Sequence, residues 1–292
     1  MSHDVTANDE VSEVVLRRPA FRHLRGGRLA IYFSVAVIAV ATFMAVFGPM
    51  LTPHDPNQVQ LSYQFVGPVP GHPLGFDGTG RDLLSRLMAG ARTSMFGPLS
   101  VVLMAMIAGV VLAIASAWRG GWFDTSTSAV LDVLFAFPGL LLAILAAAVF
   151  GSGLLAASIA LAIAYTPYIA RVLRSAAVRE RSQAYIAALE VQGVSAWRAS
   201  VRHLLPNVGP LIVAQATILF GYAMVDLAAI SFVGLGVQPP QPDWGVMVGQ
   251  GESGVLQGYP AESLSAGLCI VLVVVAFNML GERLAERAEE RH

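Results

Sequence analysis

Long stretches without a charged residue are the feature that most constrains the fold of this chain. A helix of about 20 apolar residues crosses the ~30 Å hydrocarbon core of a bilayer, and residues 29–51 and 93–118 both exceed that length. Residues 133–170 form an uncharged run of 38 residues, which as one helix would be roughly 57 Å long. Because Gly151 and Gly153 lie in its middle, we predict a tight hairpin of two spans there.

Two more apolar runs, at about 208–232 and 263–283, bring the predicted number of spans to six. Only 13% of the residues are charged, compared with about 25% in an ordinary soluble domain. The predicted fold is therefore an all-α polytopic membrane protein. The expected segments are an N-terminal tail (1–28), a first span (29–51), an outer segment (52–92), a core (93–283) with spans at about 93–118, 126–150, 153–172, 208–232 and 263–283 and an inner loop at 173–206, and a C-terminal tail (284–292).

Arginine placement predicts the orientation of the spans. All 18 basic residues are Arg. With the N-terminus inside, 15 of these 18 fall on the cytoplasmic side, and the outer side keeps only Arg81, Arg86 and Arg92. Cytoplasmic loops of membrane proteins carry the excess of basic residues. Both termini are therefore predicted to be cytoplasmic.

The same composition excludes several functions. Without a lysine the chain has no Walker A phosphate-binding loop and no Schiff-base nucleophile. A net charge of −1 gives no basic field for nucleic acid. Cys269 is the single cysteine, so an intrachain disulfide is impossible. We expect neither a catalytic residue nor a metal site.

The inner loop 173–206 is the longest predicted cytoplasmic connection. Its Ala-rich residues 182–192 predict a short helix, and Gly193 is placed to end it in the left-handed conformation. A second short helix then leads through Leu205 and Pro206 into the fifth span. On periodicity alone, an ordinary cytoplasmic loop fits these residues equally well.

The spacing within this loop resembles the EAA motif of ABC-importer permeases. That motif is Glu-Ala-Ala, three residues, Gly, nine residues, and Ile-x-Leu-Pro; here Gly193 and Leu205-Pro206 keep the spacing. Ala187 stands at the glutamate position and Leu189 at the second alanine, while Glu190 has no counterpart in the motif. Three further segments, 72–86, 136–138 and 231–245, are similar to the C-type subunit of the dipeptide/oligopeptide branch.

This resemblance implies a type I ABC-importer permease fold in the bacterial inner membrane and a non-catalytic subunit without a cofactor of its own. The implied partners are a second, unlike permease, two ABC ATPases that bind the ATP, an extracytoplasmic substrate-binding protein and a di- or oligopeptide substrate. The ATPases would move a coupling helix and so switch a central cavity between outward and inward access. The expected ATPase-docking residues are Ala184, Tyr185, Ala187, Ala188, Leu189, Glu190, Gly193, Leu205 and Pro206.

Two acidic residues near span ends leave an alternative open. An ionisable residue inside a membrane marks a functional site by default. Asp226 is therefore a candidate for the transport pathway, whereas Asp132, about one turn into the third span, fits an interfacial position. A secondary transporter or channel driven by an ion gradient through these residues would need no ATPase.

Overall fold

The computed structural model describes residues 27–289, and this part of the chain is almost entirely helical. The predicted tails lie mostly outside it: of 1–28 only the last two residues are described, and of 284–292 only the first six. The helices are α1 (Gly27–Leu51), α2 (Leu83–Arg119), α3 (Gly121–Phe135), α4 (Gly139–Phe150), α5 (Leu154–Arg181), α6 (Ala184–Val191), α7 (Ala196–Ala199), α8 (Leu205–Phe232), α9 (Trp244–Gln250), α10 (Glu252–Leu256) and α11 (Ala261–Glu289), with a 3₁₀ turn at Leu61–Tyr63 and a π-helical turn at Ser200–Leu204.

Five helices in this part of the chain are long and apolar enough to cross a membrane. They are α1, α2, α5, α11 and the continuous helix Ala196–Phe232, which includes α7, the π-helical turn and α8. The pair α3 and α4 passes the same criterion together but is bent by 82°. When that pair is counted as one broken span, the number is six, as the sequence predicts.

The third span differs from the straight helix expected at 126–150. It begins at Gly121 and is interrupted between Phe135 and Gly139. Pro138 causes the break, because proline lacks a backbone donor and disfavours the α conformation of the residue before it. Gly151, with φ of +87°, then begins the turn into α5, where the sequence predicts a hairpin.

The second span begins at Leu83, ten residues before the predicted start. Asp82 caps the helix, since its side chain accepts a hydrogen bond from the backbone N–H of Ser85 at 2.8 Å. Arg86 lies in the first turn and is fully buried, with its guanidinium 3.5 Å from the Asp77 carboxylate and 3.2 Å from the Gln250 side chain. Because its charge is compensated there, this arginine does not end the helix.

The two outer segments pack on the outer end of α2. The Asp77 carboxylate accepts hydrogen bonds from Arg81 Nε at 2.6 Å and from the Arg81 backbone N–H at 2.9 Å. Arg81 in turn donates to Gln250 of α9 at 2.9 Å. Trp244 donates its indole N–H to the Leu87 carbonyl at 2.9 Å. Buried charges are tolerated only when they are paired in this way, so these contacts fix segments 52–82 and 233–260 to one another.

The membrane helices approach closely where glycine replaces larger side chains. α2 packs mainly against α5, α1 and α8, and α8 packs against α11. A Cβ on Gly109 of α2 would lie 2.5 Å from Ile169 Cγ2 of α5. Small residues permit such contacts in membrane helices, where packing and not the hydrophobic effect holds the helices together.

Candidate functional site

The helix α6 projects from the side of the molecule that the arginine distribution assigns to the cytoplasm. It ends as the sequence predicts: Gly193 has φ of +76°, the conformation that glycine adopts without strain. The Gly193 N–H donates to the Glu190 carbonyl at 3.0 Å, and the Val194 N–H donates to the Leu189 carbonyl at 3.0 Å. These two bonds form a Schellman motif, which satisfies carbonyls at the helix end.

One side of α6 is fixed to the membrane helices. Ile186 is 1% exposed and anchors the helix in the core. Tyr185 donates its hydroxyl hydrogen to the buried Glu180 carboxylate at the end of α5. Asn207 at the start of α8 donates its amide to Glu180 at 2.6 Å and to the Tyr185 hydroxyl oxygen at 2.9 Å. The cluster Glu180–Tyr185–Asn207 therefore joins α5, α6 and α8 at one point.

The protonation of Tyr185 is set by the same surroundings. Burial, followed by the hydrogen bond to Glu180 and the nearby Glu180 carboxylate, raises the pKa of Tyr185 to about 12. The hydroxyl is therefore neutral and remains a donor at physiological pH. A neutral donor beside a buried carboxylate is a stable arrangement.

The other side of α6 is uncovered and mostly apolar. Val191 is 89% exposed, and Trp197 of α7 is 78% exposed. Such large apolar side chains on a surface outside the bilayer mark an interaction site. Of the predicted docking residues within α6, Leu189 is half-buried and five are exposed: Ala184, Tyr185, Ala187, Ala188 and Glu190. Gly193, just after the helix, is exposed too.

Leu205 and Pro206 do not belong to this exposed face. They lie inside the continuous helix Ala196–Phe232, directly after the π-helical turn Ser200–Leu204. The Leu205 N–H donates to the Ser200 carbonyl, five residues earlier. Proline at 206 has no N–H and its ring crowds the carbonyl four residues before it, and the wider turn accommodates both effects. Their neighbour Asn207 contacts α6.

Sequence reasoning missed Glu180 and Asn207, which fix α6, and Arg181, which joins α5 to α2. Arg181 donates to the carbonyls of Ala117 and Trp118 at the end of α2, the latter at 2.9 Å, and thereby ties α5 to α2. The available signal was an acid in an Arg-rich segment five residues before a tyrosine. Helical spacing alone did not show that Asn207 would meet that pair.

Asp226 lies on α8, 20 residues beyond Pro206 and thus roughly 30 Å from the loop. It accepts a hydrogen bond from the Tyr165 hydroxyl of α5 at 2.6 Å. Nearby, Tyr168 donates to the Gln215 side chain at 3.1 Å, and Tyr222 is 55% exposed. These five residues form a polar strip along α5 and α8 at membrane depth.

Two acids of α3 are paired with arginines of α5. Asp132 of α3 accepts from Arg171, and both side chains are well exposed. Asp124 accepts two hydrogen bonds from Arg174. These pairs hold the first half of the broken span against α5.

The chain is similar to known transport proteins. Residues 105–291 match the binding-protein-dependent transport system inner membrane component, and residues 16–68 match the N-terminal TM domain of oligopeptide transport permease C. The dipeptide transport system permease protein DppC of Alkalihalophilus pseudofirmus is 36% identical over 97% of this chain and 92% of its own length. The glutathione transport system permease protein GsiD of Pectobacterium atrosepticum is 35% identical over 89% of this chain and 85% of its own length.

A solved structure has the same fold. A chain of the inward-facing MetNI methionine ABC transporter aligns with a TM-score of 0.54 and 20% identity, over 69% of this chain and 95% of that chain. At this identity the likeness concerns the fold alone. It agrees with the expected type I permease arrangement of membrane helices.

Proposed function

The chain belongs to the family of binding-protein-dependent transport system inner membrane components, and we propose that it forms half of the translocation pathway of a peptide importer. As a member of that family it is a multi-pass, non-catalytic inner-membrane subunit of an ABC importer, which works with ATPase subunits and a binding protein. The finer parts of the proposal are its substrate, its unlike permease partner and the residues that couple it to the ATPases.

We propose that the exposed side of α6, formed by Ala184, Ala187, Ala188 and Glu190, docks into an ATPase subunit. The observation that carries this proposal is the division of the helix: one side is fixed by Ile186 and the cluster Glu180–Tyr185–Asn207, while the other is apolar and uncovered. A helix fixed in this way transmits a push on its exposed side to α5 and α8 together. Its movement would tilt both spans as one body.

The departures from the EAA motif fit this arrangement. Ala187, at the glutamate position of the motif, is exposed, and Glu190 points to no partner among the described residues. Glu180, seven residues before Ala187, supplies the buried carboxylate that fixes the helix. The attachment of α6 to the spans therefore does not depend on the missing glutamate.

We further propose that the polar strip on α5 and α8 faces the pathway or the second permease. An ionisable residue such as Asp226 and an exposed hydroxyl such as that of Tyr222 are costly against lipid tails. A peptide is rich in backbone donors and acceptors, which tyrosine, glutamine and aspartate side chains can bind. The names of the relatives, a dipeptide and a glutathione permease, support a small peptide substrate.

Gly193→Val tests the coupling role. Valine in the left-handed conformation costs roughly 1–2 kcal/mol, so the end of α6 should shift while the spans still insert. The complete transporter carrying this variant should purify with its ATPases and lose at least about tenfold of its ATP-driven uptake. Gly209→Ala is the matched control, because that glycine is helical and a Cβ there meets open space. Normal uptake by Gly193→Val would refute the coupling role.

Co-purification and uptake test the partners and the substrate separately. Each solubilised chain should bring down two P-loop ATPase subunits and one unlike permease. Cells that depend on this transporter should take up a labelled dipeptide or glutathione. Recovery of a homo-oligomer would contradict the heterodimer. If no peptide is taken up although the ATPase activity is intact, only the proposed substrate class would be contradicted.

A further inference from the structure

Two histidines and an aspartate meet at the outer end of α2, far from the coupling helix. His54 follows α1, His72 lies in the middle of the outer segment 52–82, and Asp82 caps α2. One ligand atom from each of the three side chains lies within 4.8 Å of the other two. The two imidazole rings stack with their centroids 4.1 Å apart and an angle of 24° between their planes.

Each of the three side chains is held in place by its backbone or by a neighbour. The His54 N–H donates to Ser85 Oγ at 3.1 Å. His72 and Val69 exchange backbone hydrogen bonds of 2.9 and 3.2 Å. The buried Asp82 carboxylate uses Oδ2 to accept from the backbone and hydroxyl of Ser85, at 2.8 and 2.6 Å. Its other oxygen, Oδ1, lies 2.8 Å from His72 Nδ1.

One solvent-shielded ring nitrogen is left without a partner among the described residues. His72 Nδ1 lies 2.8 Å from Asp82 Oδ1. His54 Nδ1 lies 3.8 Å from Asp82 Oδ2, is shielded from solvent, and has no hydrogen-bond partner among residues 27–289. A buried polar atom without a partner costs about 1–3 kcal/mol. Stacking of the rings explains their separation but leaves this nitrogen unsatisfied.

The charge at the site favours a cation. Asp82 is almost fully buried, and its carboxylate accepts hydrogen bonds from the backbone N–H and the hydroxyl of Ser85 and lies 2.8 Å from His72 Nδ1. The group is therefore a carboxylate at neutral pH. Around a tetrahedral zinc ion, with bonds of about 2.0–2.2 Å, neighbouring ligand atoms are roughly 3.3 Å apart. His72 Nδ1 lies 2.8 Å from Asp82 Oδ1 and His54 Nδ1 lies 3.8 Å from Oδ2 of the same carboxylate, so the two imidazoles approach its two oxygens at separations on either side of that value.

We propose that His54, His72 and Asp82 bind a divalent transition-metal ion of the Zn²⁺ type on the outer face of this permease. Two imidazoles and one carboxylate suit zinc and its neighbours and do not suit Ca²⁺ or Mg²⁺, which take oxygen ligands. Ser85 orients the carboxylate through the hydrogen bonds that its backbone N–H and hydroxyl donate to Oδ2. The ion joins the chain after α1 to the first turn of α2 and keeps one coordination position for water or an external ligand.

Metal titration of the purified, untagged full-length chain tests this proposal. One equivalent of Zn²⁺ or Co²⁺ should bind. His54→Gln and His72→Gln should each weaken the affinity for the metal at least about tenfold. Ser85→Ala should weaken it about tenfold, because the hydrogen bond from its hydroxyl to the Asp82 carboxylate is lost. His203→Gln is the matched control, because His203 lies beside Tyr185 on the opposite side of the protein and should leave the affinity unchanged.

Two further measurements complete the test. Bound Co²⁺ should show the intense visible absorption of a tetrahedral site, and saturating Zn²⁺ should raise the unfolding temperature of the wild type but not of the double variant His54→Gln/His72→Gln. His54→Gln removes no hydrogen bond of its side chain and should therefore fold. Absence of binding, or an equivalent that survives in the double variant, would overturn the metal site.

Discussion

At the scale of single residues, the position of α6 depends on a few polar atoms at the cytoplasmic ends of three helices. Glu180 is buried, and Tyr185 and Asn207 both donate to its carboxylate. A buried carboxylate that loses a donor is left partly unsatisfied, so a small change in this cluster should loosen the whole helix.

Tyr185→Phe removes one of these donors and keeps the ring. We expect the attachment of α6 to weaken by about 1 kcal/mol, which corresponds to roughly fivefold faster hydrogen exchange of its amides. Exchange measured by mass spectrometry on residues 184–191 checks this result. Tyr32→Phe is the control, because Tyr32 is exposed on α1. Equal protection of α6 in wild type and Tyr185→Phe would show that Ile186 alone holds the helix.

At the scale of helices, the closeness of two backbones decides which spans move together. α2 and α5 form the most extensive helix pair, and Gly109 permits their contact at Ile169. Arg181 and its bonds to the end of α2 add a second connection near the coupling helix. A push on α6 should therefore reach α2 as well as α5.

Gly109→Val should separate α2 from α5. The Cβ alone would lie 2.5 Å from Ile169 Cγ2, and overpacking of this kind costs about 1–3 kcal/mol. The solubilised variant should unfold at a lower temperature than the wild type. At Gly267 of α11 a Cβ meets open space, so Gly267→Val gives the matched comparison. Equal unfolding temperatures of both variants would mean that α5 shifts to accommodate the valine with no loss of stability.

At the scale of the whole molecule, the arginine distribution predicts the orientation of the protein, and the outer segments close one end of it. The proposed metal site and α6 lie at opposite ends of the candidate membrane spans. The outer end is rigid, because Asp77, Arg81 and Gln250 connect its two segments. We expect movement to enter from the cytoplasmic end, where α6 is uncovered.

Labelling from the two sides of the membrane tests this orientation. In a Cys269→Ser background, a cysteine at Val191 should react with an impermeant maleimide only in inside-out vesicles. A cysteine at Val59, which is also exposed, should react only in right-side-out vesicles or intact spheroplasts. Labelling of Val191→Cys from outside would reverse the orientation and remove the basis for α6 as the ATPase-docking helix.

The sequence by itself determined the properties that depend on local composition. Uncharged runs specify spans, because a bilayer accepts only helices whose backbone groups are satisfied internally. Arginine placement predicted the orientation. The spacing of Gly193 and Leu205-Pro206 predicted a helix that ends at a left-handed glycine. All of this follows from positions close together in the chain.

Only the tertiary structure decided the contacts between distant residues. The 82° bend of the third span, the start of α2 at Leu83, and the meeting of Glu180 with Asn207 depend on which groups compensate one another in space. Arg86 illustrates the reason: an arginine usually ends an apolar span, but here Asp77 and Gln250 compensate its charge. His54, His72 and Asp82 become a site in the same way, since residues up to 28 positions apart converge only when the outer segment folds onto α2.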